Sequence, residues 1–447
     1  MKTSKYNIII PSIETDETIL FNSLYGSLTV WDKKEIHIVN SYLSQPDSIE
    51  LNHLPIKSIL ISQKYIIDDD VDEVAIIENR KRQGIEDGNR LDVIIMPTLD
   101  CNFDCVYCYE SHRPSRMTDE TETAIKRWLS SEMPNYKVVM LSWFGGEPLL
   151  GCERVISITN HAIKIAETSG IFCVTHMTSN GYLLTRANIQ KVLEAGIYDF
   201  QITVDGTPET HDKLRVLKNG KKTFSRVFEN INNLARSDER VKISLRVNFN
   251  QSNLHSIPRL LEMFPKDVRP HLRVVYEPIF GQCSMSATEN LPAQEISEAM
   301  ASYYKLAREL GYDVILSGAS GYTGKLVYCY AERQSQVIIN YNGDVHKCSV
   351  SNFEPEARVG YIRDDGALVK EKNWNQWFST DLFEEKCYSC VYLPLCMGGC
   401  RKMRSQLQNT GSYCTLVPTN SSYVLKQVAL QGFGDLLTNN SDKGGDA

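Results

Sequence analysis

Between residues 91 and 315, short apolar runs alternate with helical patterns six times. The strand candidates are VIIMPT from Val93, VVMLSWFGG from Val138, FCVTHMTSN from Phe172, DFQITVDG from Asp199, KISLRVNFN from Lys242 and LRVVYEP from Leu272. Between them lie stretches such as DETETAIKRWLSSEM and RVISITNHAIKIAETSG, and two of the helices end on glycine, in AETSG and LEAG. Glycine takes the left-handed conformation that often closes a helix. Strand–helix units with short connections predict an α/β fold built on a parallel sheet. Six such units can curve into a partial (β/α)6 barrel, with its working side chains at the C-terminal strand ends.

The flanks break this rhythm. Residues 1–90 open with a strand, YNIII, continue as paired strands in TILFNSLYGSLTVW, and turn helical through KEIHIVNSYL, LPIKSILISQKYII and DDDVDEVAIIENRKRQGIE. This order predicts a small α+β unit of winged-helix type. Residues 316–425 are rich in cysteine and in turns such as NGD and GG, and are expected to fold around metal. Residues 426–447 read as a polar, disordered tail.

The net charge of −7 argues against nucleic acid as a partner. No apolar run approaches membrane-spanning length, and the N-terminus lacks the apolar core of a signal peptide. A cytoplasmic location with reduced thiols follows as the expectation. Clustered cysteines then point to metal. Of the 13 cysteines none precedes residue 101; three fall within CNFDCVYC and seven in the last third of the chain.

The first group, Cys101, Cys105 and Cys108, follows the first strand candidate at C-x3-C-x2-C spacing. Thiolates suit zinc or an iron–sulfur cluster. A structural zinc site normally takes four protein ligands, and His112 is a candidate for the fourth. Three thiolates on a cluster instead leave one metal position for an outside ligand.

This loop, with Tyr107 just before its third cysteine, resembles that of the radical S-adenosylmethionine (SAM) family. The resemblance implies a [4Fe–4S] cluster on Cys101, Cys105 and Cys108, with SAM chelating the open iron. It also implies cleavage of SAM to a 5′-deoxyadenosyl radical that abstracts hydrogen from a substrate. WFGGEP resembles the Gly-Gly-Glu motif of the family: Gly145 and Gly146 would let the backbone approach a ligand, and Glu147 would accept from its ammonium group. TSNG at the third strand end matches as well, with Ser179 and Asn180 toward the ligand. Arg246 stands in the fifth strand, where the family often sets an arginine on the SAM carboxylate. Asp205, His211, Asp212 and Arg215, after the fourth strand, either touch substrate or cap the next helix. No residue is assigned to catalysis.

The C-terminal spacing resembles the SPASM extension of radical SAM enzymes at all seven positions. By that resemblance Cys329, Cys348 and Cys400 hold one auxiliary [4Fe–4S] cluster, and Cys387, Cys390, Cys396 and Cys414 hold another, making three clusters. The segment YAERQSQ has no cysteine to complete the first auxiliary cluster. Cys152, Cys173 and Cys283 read as ordinary buried thiols.

The resemblance spans roughly residues 90–420. It implies an oxidoreductase that matures a ribosomal precursor peptide, forming a carbon–carbon, aryl ether (darobactin-type) or thioether crosslink. Residues 1–90 would either recognise the leader or cap the barrel, and an external donor such as flavodoxin or ferredoxin would supply electrons. One alternative is an anaerobic sulfatase-maturating, formylglycine-forming enzyme, which DGTPETHDKLR also resembles. Against it, Ser349 and Val350 follow Cys348 where those enzymes usually carry aspartate. Another is a non-catalytic iron–sulfur electron carrier, which has no need of an open iron.

Overall fold

The computed structural model describes residues 1–11, 16–48, 54–279, 293–314, 326–378 and 382–402. Cys283, Cys414 and the tail 426–447 lie outside the described residues. No described helix is long and apolar enough to cross a membrane. The chain divides into two compact units.

The larger unit comprises residues 86–314 and 330–378. Its first six strands are β1 (Arg90–Ile95), β2 (Val138–Trp143), β3 (Phe172–Ser179), β4 (Asp199–Thr203), β5 (Lys242–Phe249) and β6 (Leu272–Pro278). They lie side by side in chain order and every neighbouring pair is parallel. The intervening helices begin and end as their sequences dictate. Thr118 and Thr185 cap the helices Asp119–Glu132 and Arg186–Glu194, each hydroxyl accepting a backbone N–H from the first turn. Gly170 closes the helix Cys152–Ser169 with φ +66°. That helix turns Val155, Ile158, Ala162 and Ala166 inward, a spacing of three and four residues that makes one apolar stripe.

The sheet does not stop at β1. Gln336–Ile339 pairs with β1 in parallel register, Gln336 opposite Asp92 and Ile339 opposite Ile95. Asp344–His346, Gly360–Ile362 and Leu368–Lys370 then add as an antiparallel meander, giving a ten-stranded, mostly parallel sheet. A strand from the cysteine-rich stretch of the sequence thus covers the flank of the strand that leads into the three-cysteine loop.

The smaller unit comprises residues 1–85, 315–329 and 379–447. Asn7–Pro11, Thr18–Asn22 and Leu28–Trp31 form an antiparallel sheet, accompanied by the helices Glu35–Ser44, Leu54–Ser62 and Glu73–Ile85. The helix expected through LPIKSILISQKYII ends at Ser62; Lys64 turns the chain at φ +61°, and Ile66–Ile67 pairs with Lys2–Thr3 instead. Alternation along the strands sends Ile8, Ile10, Ile19 and Phe21 to one face, where they pack with Leu395. Polar contacts fix the same docking. Ser23 Oγ donates to the Val391 carbonyl at 2.6 Å and Tyr388 OH to Glu78 at 2.9 Å. The fully buried Lys81 Nζ donates to the Met397 carbonyl at 2.6 Å. The segment bearing Cys387, Cys390, Cys396 and Cys400 is therefore built onto the N-terminal α+β element.

Candidate functional site

The site lies at the C-terminal ends of β1 to β5. Beyond β1 the chain turns at Thr98, whose hydroxyl donates to Ser115 O at 2.6 Å and accepts from Asp100 N at 2.9 Å. Cys101 is buried; Cys105 and Cys108 are half-buried. Phe103–Cys105 forms a short antiparallel ribbon with Arg215–Leu217, Cys105 opposite Arg215. Two further backbone bonds extend it, Val106 N to Leu214 O and Lys218 N to Asn102 O, both 3.1 Å. The chain that follows β4 thereby clamps the cysteine loop.

Gly145 and Gly146 meet this loop. Built onto Gly146, a Cβ would lie 2.2 Å from Asp100 O; on Gly145, where φ is +113°, it would lie 2.3 Å from Thr98 O. The close approach that the two glycines permit is to the backbone of the cysteine loop, sealed by Glu147 N donating to Asp100 O at 2.9 Å. Glu147 is fully buried. Its carboxylate accepts from Leu149 N (3.0 Å), Ser179 Oγ (3.0 and 3.1 Å) and Asn180 N (2.8 Å). Burial pushes its pKa up to about 7 against the pull of these donors. Asn180 completes the tie: its side-chain amide donates to Asn102 Oδ1 at 2.7 Å and reaches Cys101 Sγ at 3.7 Å.

Tyr107 and Arg246 meet on the other side. The half-buried Tyr107 directs its hydroxyl to Asp205 and accepts from Arg215 Nη1 (2.7 Å) and Asn248 Nδ2 (3.1 Å). The Oδ1 of the same Asn248 accepts from Arg246 Nε at 2.8 Å. Asp205, fully buried, accepts from Asn248 N at 2.9 Å and stands 3.8 Å from Arg215 Nη1. His211 Nδ1 accepts from Asp205 N. Asp212 does cap the next helix, accepting from Thr223 N and Phe224 N at 2.9 Å each. His112 Nε2 faces Cys108 Sγ at 3.3 Å.

The predicted residues thus fall into two bonded groups, Gly145, Gly146, Glu147 and Ser179 on one side of the loop and Tyr107 and Arg246 on the other. Sequence reasoning missed Asn102 and Asn248. Asn248 had a readable signal: it lies two residues beyond Arg246 on the same strand, hence on the same face. Cys329, Cys387, Cys390, Cys396 and Cys400 belong to the smaller unit and Cys348 to the larger, all half-buried.

Among the described residues no three His, Cys, Asp or Glu side chains converge as a ready-made metal site. The chemistry of the loop nevertheless fits an iron–sulfur cluster. Burial pushes the Cys101 and Cys108 thiols up to about 12, so they stay protonated until a metal displaces the proton. Two buried donors beside them, Asn102 Nδ2 and Arg215 Nε, have no hydrogen-bond partner among the described residues. Orphaned buried N–H groups are rare, and these would suit an acceptor-rich, anionic group at the loop.

The radical SAM superfamily model matches residues 95–264. The Fe-coproporphyrin III synthase of Methanosarcina barkeri is 24% identical over 213 residues, 48% of this chain; the chain spans about half (50%) of that relative's length. The PqqA peptide cyclase of Bradyrhizobium diazoefficiens is 21% identical over 80% of this chain and 95% of its own. A cysteine-type anaerobic sulfatase-maturating enzyme of Clostridium novyi is 24% identical over 70% and 88% respectively. Among solved structures, anSMEcpe with bound AdoMet and Cp18Cys peptide superposes with a TM-score of 0.59 at 18% identity, over 78% of this chain and 99% of that one. Streptococcus suis SuiB bound to precursor peptide SuiA gives a TM-score of 0.50 at 14% identity, over 91% and 96%. At these identities the two superpositions establish the fold.

Proposed function

We propose that the protein is a radical SAM enzyme that matures a peptide, oxidising a ribosomal precursor to install a crosslink; the match of residues 95–264 to the radical SAM superfamily model supports the family. The observation that carries the peptide reading is the similarity to PqqA peptide cyclase along 95% of that enzyme's length. In this reading Cys101, Cys105 and Cys108 hold a [4Fe–4S] cluster that leaves one iron to SAM. When bound, the pair supplies one-electron cleavage of the sulfonium and hydrogen-atom abstraction.

The chain's own residues prepare that site. Gly145 and Gly146 let the β2 end lie against the loop, and the Glu147–Ser179–Asn180 bonds hold the β3 end to it. Tyr107, anchored through Asn248 to Arg246, fixes the loop on the β5 side. Ser179 and Arg246 then stand to orient SAM. The two auxiliary clusters implied by the cysteine spacing, which bring the total to three, would take up the surplus electron, and a flavodoxin or ferredoxin would deliver the first. The N-terminal antiparallel sheet supports a leader-binding role, since a peptide strand can add to a sheet edge.

The test is anaerobic: reconstituted protein, SAM, dithionite and the short precursor peptide encoded beside the gene. The expected products are 5′-deoxyadenosine and a peptide lighter by two hydrogens. Neither product appearing would overturn the assignment. The similarity to a sulfatase-maturating enzyme supports formylglycine formation as a second reading. A peptide bearing cysteine in a sulfatase sequence context, converted to an aldehyde while the precursor is left unchanged, would select it.

A further inference from the structure

We propose that Arg215 is the fixed counter-charge and hydrogen-bond donor of the cluster on Cys101, Cys105 and Cys108, and thereby sets how readily that cluster is reduced. The inference rests on the reading that this loop holds a cluster.

Four observations carry it. First, the ribbon sets Arg215 directly opposite Cys105, so the side chain is delivered to the loop by backbone pairing rather than by chance contact. Second, the guanidinium is interior, with the residue only 7% exposed and lying over the Phe103 ring at 5.6 Å. Third, the fork is only partly used. Nη1 donates to Tyr107 OH at 2.7 Å and lies 3.8 Å from Asp205, while Nε has no partner among the described residues. Fourth, Asn102 Nδ2 on the same loop is a second buried donor with no partner among the described residues.

One buried carboxylate is poor company for a cation that also stands opposite Cys105. With thiolates and sulfides on the loop the balance changes: the cluster becomes the larger anion, and the idle Nε–H acquires an acceptor. A hydrogen bond to cluster sulfur and a nearby positive charge both favour the more negative, reduced form. Arg215 therefore raises the potential of the one-electron couple. It acts through the cluster and need not touch substrate.

The test is a redox titration of the full chain, reconstituted anaerobically and without SAM, followed by electron paramagnetic resonance. The loop cluster is identified by subtracting the spectrum of a C101A/C105A/C108A variant. If that difference is empty in the wild type, the cluster reading itself fails, independently of Arg215. With the cluster present, Arg215→Gln is expected to make its reduction about tenfold less favourable at a given potential, a downward shift of about 59 mV for one electron. A change smaller than about threefold overturns the proposal, as does a variant that loses SAM affinity with no change in the SAM-free couple. Should R215Q fail to bind the cluster, wild type and Arg215→Lys labelled with 15N-arginine decide the matter. The reduced wild-type cluster should couple to an arginine 15N, and the coupling should vanish in R215K; the same coupling in both, or in neither, overturns it.

Discussion

Glu147 accepts the backbone N–H of Asn180 at 2.8 Å, binding the ends of two strands through one fully buried carboxylate. The same side chain takes the Ser179 hydroxyl, so the junction of β2 and β3 depends on a group with no access to water. Ser179→Ala removes one donor and leaves acceptor capacity unmet in the interior. A loss of about 1–3 kcal/mol is expected, read as a lowered midpoint in chemical denaturation. An unchanged midpoint would show that the tie is dispensable.

Gly146→Ala tests the contact between the β2 end and the cysteine loop. Its Cβ would sit 2.2 Å from a backbone oxygen, which cannot rotate away. The loop must shift, at a cost of about 1–3 kcal/mol. If the proposed reading holds, iron bound per chain after reconstitution should fall by roughly one four-iron cluster, with any iron on the C-terminal cysteines retained.

Protonation of His211 should oppose folding. Burial first, and the Arg215 charge second, hold its imidazole well below the usual range. The folded protein therefore keeps it neutral at a pH where the unfolded chain takes up a proton. Its contribution is complete above about pH 6.5 and is lost as pH falls below that value, at up to about 1.4 kcal/mol per pH unit. Denaturation between pH 7.5 and 5.5 should show this slope in the wild type and a shallower one in His211→Gln.

Lys81→Met probes the smaller unit. The substitution keeps an unbranched side chain one atom shorter and deletes the donor to Met397 O. A cost of about 1–3 kcal/mol is expected. Limited proteolysis should then cut within residues 387–402 earlier than in the wild type. Identical digestion patterns would argue that the packing through Leu395 and the Ser23 and Tyr388 bonds hold the segment without Lys81.

Much of the sheet was readable, and the reason is its periodicity. Val138, Phe172, Asp199, Lys242 and Leu272 open strands where the apolar runs begin, since each run is long enough to cross a two-sided core. The three-residue ribbon at Phe103–Cys105 was not readable, because alternation over three residues carries no signal. Gln336–Ile339 was missed for a different reason: its QVII run is apolar but is set among cysteines and turns, which mask a buried strand. At the site, residue types were legible and their partners were not. Glu147 and Tyr107 stand out in sequence, but nothing there says that Ser179 faces the first and Asn248 the second.

The pairing of Gln336–Ile339 with Arg90–Ile95 has a bearing on how the molecule is made. During synthesis β1 gains β2 early, but its other flank waits until Gln336 emerges, 244 residues after its partner Asp92. A nascent chain halted before that point exposes an unsatisfied row of amides and carbonyls beside three thiols. In the proposed reading, inserting a cluster into a half-translated polypeptide would therefore meet a template for aggregation, which favours loading iron and sulfide only after Gln336–Ile339 has joined β1.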